Sequence, residues 1–369
     1  VPNIVSKNCK IKVTLVSKCG GTIVQLYGSD ESDGNFSIAY DQLYFAKDGD
    51  IKLWLQDMET TLVHTPGKYA LYPYATPAGE KLAFAQVDKE DGEILWNTSE
   101  IWIADYEVGS LSKITVNDVP DVEPAISPDG KKVVFVREEG GYSHLYLAEW
   151  IYVPITHNYA LHITQLTSGN HQDREPCFSP DGRHVVFSSN RNGKFQLYTI
   201  DIENPDDVLN ALPAVPPYTT RDQRNPDWSP DGKWFACNME YGGKSDIYIA
   251  DAWGPINTRR VFQITSTPQY EIFPSWRPDG KALAYVVMED IPDGHSFELW
   301  KMKLSIDDSV SMIGSEMLTY LGWKPWGEIF TLGDPCWRKL EGLRIIQSEL
   351  KGRVGNYVDM SIQAVGGIL

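Results

Sequence analysis

The sequence predicts an all-β fold: a seven-bladed β-propeller of four-stranded antiparallel blades, with six blades as the alternative count. Three observations lead there. One short segment recurs along the chain, its copies are about fifty residues apart, and the intervening stretches alternate in hydrophobicity with no long helical periodicity. Length alone would suggest two or three ordinary domains, but internal repetition overrides that prior and makes residues 1–369 one repeat domain.

The repeat is read from four segments that superimpose: EPAISPDGKKVVFV from Glu123, EPCFSPDGRHVVFS from Glu175, NPDWSPDGKWFACN from Asn225 and FPSWRPDGKALAYV from Phe273. Looser copies begin at Tyr72 and Asp334, and a degenerate copy runs through Asn35–Ala46. The leading prolines, Pro73, Pro124, Pro176, Pro226, Pro274 and Pro335, are separated by 51, 52, 50, 48 and 61 residues. The longer last interval leaves room for an insertion between the last two blades, placed at residues 312–327.

Each copy reads as strand, turn, strand, loop, strand, loop, strand. In the copy at Pro176, Cys177–Ser179 is a short first strand. Pro180-Asp181-Gly182 is a turn, because proline pre-sets φ and glycine accepts the positive φ needed to leave. His184–Ser188 is the second strand, rich in β-branched and aromatic residues, and Phe195–Ile200 is the third. His162–Thr167 is the fourth strand of the preceding repeat. The seven-blade count takes Pro335–Trp337, Leu343–Gln347 and Tyr357–Ile362 as three strands of the last blade, sealed by Gly21–Tyr27 from the amino-terminal end. The six-blade count merges the degenerate first copy and the terminal segments into one blade.

The net charge of −17 repels nucleic-acid phosphates and anionic lipid, so nucleic acid is excluded as a partner. No run of eighteen apolar residues exists, which excludes membrane insertion by a helix. Of the five cysteines, Cys9 and Cys19 flank an apolar stretch and can pair across it, whereas Cys177, Cys237 and Cys336 sit in strand patterns as buried thiols. The chain begins at Val1 rather than Met, as a trimmed form whose export segment is gone would. An exported or periplasm-like compartment is therefore expected.

The in-phase tetrapeptides Ser127-Pro128-Asp129-Gly130, Ser179-Pro180-Asp181-Gly182, Ser229-Pro230-Asp231-Gly232 and Arg277-Pro278-Asp279-Gly280 resemble the TolB-like propeller family over about Tyr72–Val287. That resemblance implies the fold and leaves the chemistry open, since the family includes periplasmic adaptors, gating propellers of peptidases and subunits of enzyme complexes. No segment of residues 1–369 resembles the hydrolase domain of those peptidases. In size and architecture the chain is also similar to the haem-free propeller subunit of hydrazine synthase.

No Gly-x-Ser-x-Gly elbow, phosphate-binding loop or His-Glu-x-x-His motif is present, so no catalytic residue and no cofactor is assigned. The informative polar residues precede each proline, in loops expected to converge on one mouth of the central channel. They are Asp121, Glu123, His171, Asp173, Arg174, Arg221, Asp222, Arg224, Tyr270 and Glu271. These bind a partner or polar ligand, or else brace neighbouring blades by pairing with one another. His171 and Asp173 offer two metal ligands, too few for a site, so no metal is assigned. Trp228, Trp276 and Trp337 share one repeat position and are expected between blades, whereas Trp253, Trp323 and Trp326 lie outside the repeat and are candidate docking residues. The expected function is a non-catalytic interaction scaffold, or a subunit of a larger, possibly redox, enzyme complex with other protein subunits as partners. The alternatives are a metal-assisted lyase or hydrolase working at the channel mouth, and a small-ligand sensor.

Overall fold

The structure is a computed structural model that describes residues 10–19, 22–27, 41–55, 58–77, 79–91, 93–106, 108–153, 158–210, 220–292, 294–306, 309–325, 333–339 and 357–363. Among these residues there is no α-helix, and no helix long and apolar enough to cross a membrane.

In chain order the strands are β1 (Lys10–Cys19), β2 (Thr22–Tyr27), β3 (Asp41–Lys47), β4 (Asp50–Leu55) and β5 (Met58–Val63). Five complete blades follow. Blade 2 is β6 (Lys68–Ala75), β7 (Lys81–Glu90), β8 (Glu93–Asp105) and β9 (Ser110–Lys113), and blade 3 is β10 (Asp121–Ile126), β11 (Lys132–Glu139), β12 (Tyr142–Val153) and β13 (Asn158–Gln165). Blade 4 is β14 (Asp173–Phe178), β15 (His184–Ser189), β16 (Gln196–Asp201) and β17 (Asn204–Asn210). Blade 5 is β18 (Asp222–Trp228), β19 (Trp234–Glu240), β20 (Ser245–Asp251) and the short β21 (Val261–Gln263). Blade 6 is β22 (Tyr270–Trp276), β23 (Ala282–Ile291), β24 (Gly294–Ile306) and β25 (Val310–Pro325), joined to blade 5 by one parallel bridge, Ser245 with Tyr270. Then come β26 (Gly333–Lys339) and β27 (Tyr357–Gln363).

Blade 1 is assembled from both ends of this series: β26 supplies its inner strand and pairs antiparallel with β3, which pairs with β4 and then β5. The innermost strands touch in the cyclic order β6, β10, β14, β18, β22, β26 and back to β6. The described residues thus form a closed ring of six blades. The count follows the six-blade alternative, because the degenerate first copy and the Asp334 copy are two parts of one sheet. Gly21–Tyr27 does not seal a blade: β2 pairs with β1, and β1 runs parallel to β27 in a separate three-stranded sheet. Leu343–Gln347 and Cys9 lie outside the described residues.

Of residues 312–327, expected as an insertion between the last two blades, the described residues 312–325 make most of the outermost strand of blade 6. Three register shifts along β24/β25 absorb the extra length.

The core lies between blades rather than within them. Each sheet carries one residue at a shared position of its second strand that packs against the preceding blade: Phe45, Phe84, Phe135, Phe187, Cys237 and Tyr285, all buried. Trp228 and Trp276 are buried in the same interfaces, as their shared repeat position predicts.

The Ser-Pro-Asp-Gly turns form as expected, with glycine φ of 66° at Gly130, 71° at Gly182 and 69° at Gly232. Each aspartate closes its own turn. Asp129 Oδ1 accepts from Ser127 Oγ (2.7 Å) and Lys131 N–H (3.1 Å), and Asp181 and Asp231 repeat the arrangement. Partial burial works to raise these carboxyl pKa values, but the hydroxyl and backbone donors outweigh it and hold them below the ordinary aspartate range. A depressed carboxyl stabilises the fold above its unfolded pKa of about 3.9, and that contribution is lost as pH falls through the folded value. Replacing Asp129, Asp181 and Asp231 together by Asn keeps an acceptor and removes the titration. The variant is expected to show a shallower fall of Tm than the parent as pH drops from about 5 to about 3. Parallel curves would contradict this.

Candidate functional site

The site is built on a defect that recurs in every inner strand. The register shifts between Leu71 and Tyr74, Val122 and Ala125, Arg174 and Cys177, Arg224 and Asp227, Ile272 and Ser275, and Gly333 and Cys336. In blades 2 to 6 the residue before the proline sits at the bulge with positive φ: 55° at Tyr72, 51° at Glu123, 57° at Glu175, 52° at Asn225 and 55° at Phe273. A left-handed non-glycine residue costs on the order of 1 kcal/mol. Its N–H leaves the ladder and needs another acceptor.

In blades 4 and 5 that acceptor is the bulge carboxylate of the preceding blade. Glu123 Oε2 accepts from Glu175 N–H at 2.7 Å, and Glu175 Oε2 accepts from Asn225 N–H at 2.7 Å. The neighbouring arginines complete the ladder: Arg174 donates to Glu123 at 3.1 Å and pairs with Glu138, and Arg224 donates to Glu175 at 2.8 Å while lying over the Phe195 ring at 4.0 Å. Burial pushes the Glu123 carboxyl up against the pull of Arg174, with the Glu175 charge adding to the rise. Burial also acts on Glu175, but Arg224 and the donated hydrogen bonds win and hold it below the usual range.

The other mouth residues are held in a similar way. Asp121 is fully buried and accepts from Arg137 at 2.7 and 2.9 Å and from Asn117 at 2.7 Å. Asp222 accepts from Phe195 N–H and Lys194. Glu271 accepts from Thr267 Oγ1 at 2.9 Å, and its burial raises the carboxyl. Arg221 reaches the Tyr248 hydroxyl and lies over the Tyr241 and Tyr248 rings, and Tyr270 opens β22 beside Ser245 of blade 5.

Sequence reading placed these residues on loops before the prolines. The structure places all of them except His171 and Arg221 on the inner strands themselves, which begin at Asp121, Asp173, Asp222 and Tyr270. The reason is the bulge: the proline interrupts the ladder for one residue and pairing resumes on both sides.

Deeper in the channel Tyr74 of blade 2 reaches Cys177 of blade 4, its hydroxyl 3.2 Å from Sγ. Cys177 Sγ lies 3.3 Å from Asp227 Oδ1, and Asp227 Oδ2 accepts from Trp276 N–H at 2.7 Å. Burial, joined by the Asp227 charge, pushes the Cys177 thiol well above its ordinary pKa, which disfavours the reactive thiolate. Cys177 and Cys237 are buried free thiols, as expected.

His171 and Asp173 are together at the entrance of blade 4, with His171 Nε2 3.2 Å from Asp173 Oδ2. A third group joins them: His144, from β12 of blade 3, places Nδ1 3.6 Å from the same oxygen. Sequence reading missed His144 because it sits in a strand of the preceding blade. The signal was available in the register, since the residue after a blade's third-strand start faces the next blade's first strand, as the bridge of Ser143 with Gln172 shows.

Of the tryptophans, Trp253 donates Nε1–H to Gly232 O at 2.8 Å and packs on Trp228 and on His184 of blade 4, with 47% of its surface exposed. Trp323 lies near the end of β25 opposite Ser296, and Trp326 is outside the described residues.

With this geometry in view, no protein-family model matches the chain. Among solved structures it is similar to TolB from Acinetobacter baumannii, with 19% identity and a TM-score of 0.54 over 81% of this chain and 66% of that one. The fold is that of the TolB-like propellers. The same TolB-like architecture matches a chain of the nidogen/laminin complex, with 11% identity and a TM-score of 0.53 over 81% of this chain and 98% of that one. It also matches hydrazine synthase from Kuenenia stuttgartiensis, with 15% identity and a TM-score of 0.54 over 78% of this chain and 47% of that one.

The ladder makes a prediction about which carboxylate matters. Glu175→Gln leaves Arg224 without its anion and is expected to cost on the order of 3 kcal/mol at neutral pH. Glu123→Gln is expected to cost markedly less, because burial already disfavours its charge and Arg174 keeps Glu138. Urea midpoints of the two variants test the order, and equal losses would refute it.

Proposed function

We propose that this TolB-like propeller is a non-catalytic interaction scaffold, a subunit of a larger complex that docks through the outer edge of blade 6. The observation that carries the reading is the strand β25. It is the last strand of its sheet, and Ser311–Met317 are exposed along it. Met312, Ile313, Met317 and Tyr320 are 41%, 67%, 50% and 49% exposed. A long apolar edge strand left bare is a template for non-specific pairing, and proteins normally cover or charge it. A partner surface that adds a strand or an apolar face there resolves the liability.

Two further observations support a docking role over a reaction. The charged groups at the channel mouth are largely spent on one another, and burial disfavours the thiolate of Cys177 inside the channel. Structures that share the fold include a chain of the nidogen/laminin complex and hydrazine synthase. Trp323, at the far end of β25, extends the proposed contact, and the half-buried rim residues Arg221, Asp222 and Tyr270 offer a second one. The periplasm-like compartment expected from the sequence is kept as part of this proposal.

The double variant Ile313→Lys, Met317→Lys changes only exposed positions and is expected to keep the parent Tm. In extracts of the native source, the parent chain should migrate in an assembly of defined larger mass and the variant as the free chain. A parent chain that migrates alone would overturn the reading.

A further inference from the structure

We propose that His144, His171 and Asp173 form a binding site for one divalent transition-metal ion at the junction of blades 3 and 4. The three residues come from three places that the fold brings together. His144 lies near the start of β12, His171 lies in the crossing between the two blades, and Asp173 opens β14. His144 Nδ1, His171 Nε2 and Asp173 Oδ2 lie within 4.8 Å of one another.

Each of these three atoms is buried and makes no hydrogen bond. Asp173 is fully buried. Three buried polar atoms gathered within 4.8 Å without hydrogen bonds destabilise the fold as they stand. A hydrogen bond between one histidine and the aspartate would satisfy two of the three at most and leave the other imidazole unserved. A cation at the common point satisfies all of them.

The spacing fits. Two donor atoms about 2.1 Å from a shared ion at a tetrahedral angle stand about 3.4 Å apart. The measured separations from Asp173 Oδ2 are 3.2 Å to His171 and 3.6 Å to His144. Two imidazole nitrogens and one carboxylate oxygen suit zinc, manganese, iron or cobalt, rather than the all-oxygen shells of calcium or magnesium.

The surroundings are those of a held ligand set. Arg191 donates to Asp173 Oδ1 at 3.1 Å, which fixes the carboxylate and leaves Oδ2 facing the histidines. Arg191 is itself held over the Phe187 and Tyr198 rings. Gly169 leaves room for the His171 ring, since a Cβ there would come 2.6 Å from Cε1. The equivalent position one blade earlier shows the contrast: Asp121 spends both oxygens on Arg137 and Asn117, and among the described residues no histidine pairs with it.

The site is independent of the docking edge, which lies on blade 6. The test uses the full chain, stripped with a chelator and dialysed against zinc, with bound metal measured by elemental analysis. About one zinc per chain is expected, with a rise in Tm on loading, and visible d–d absorption when cobalt replaces zinc. His144→Gln with His171→Gln should reduce retention to background and abolish the cobalt spectrum, while circular dichroism shows the ring intact. A parent chain that retains no stoichiometric zinc overturns the proposal. Retention and cobalt absorption unchanged in the folded double variant overturn it as well.

Discussion

The ring depends on the bulge before each proline of the inner strands. One residue there is turned into the left-handed region, and its amide is lifted out of the ladder. That amide must find an acceptor, and in blades 4 and 5 the acceptor belongs to the blade before. A local backbone irregularity thereby becomes a contact between sheets. The strain at Glu175 and Asn225 is offset by hydrogen bonds that form only when neighbouring blades are seated side by side. Backbone conformation, blade spacing and the arrangement of charge around the channel are one feature seen at three scales.

The same feature explains why part of the structure was legible in the sequence and part was not. The Ser-Pro-Asp-Gly turns, the buried second strands and the inter-blade tryptophans follow from local residue chemistry, and the sequence displays them directly. The inner strands were read too short, because proline looks like a stop signal and the chain instead bulges past it. The count of blades was ambiguous for a different reason. The pairing of β26 with β3 joins residues nearly three hundred positions apart, and no local pattern encodes that partner. His144 was hard to read for a related reason, since its relation to Asp173 lies across the junction of two sheets.

Charge is distributed unevenly around the channel. The Glu–Arg ladder runs through blades 3, 4 and 5, whereas the bulge residues of blades 2 and 6 are the aromatic Tyr72 and Phe273. One side of the mouth is thus a lattice of fixed, mutually satisfied ions, and on the other side the bulge positions are aromatic. Such a surface offers little free charge to a substrate in spite of its composition. It also shows why a count of acidic residues is a poor guide to reactivity: most of the carboxylates that converge here already have a cation or an amide each.

The seam in blade 1 has a consequence for how the molecule is made. Three strands of that sheet are synthesised early, and the fourth arrives only after blades 2 to 6 have emerged. At typical elongation rates of about 5–20 residues per second, β3 waits tens of seconds with its inner edge bare. During that interval the growing arc has two unmatched faces, one at each end, and a nascent neighbour on the same messenger presents the same two. Circularisation of a single chain therefore competes with strand exchange between chains, and local crowding of ribosomes decides between them.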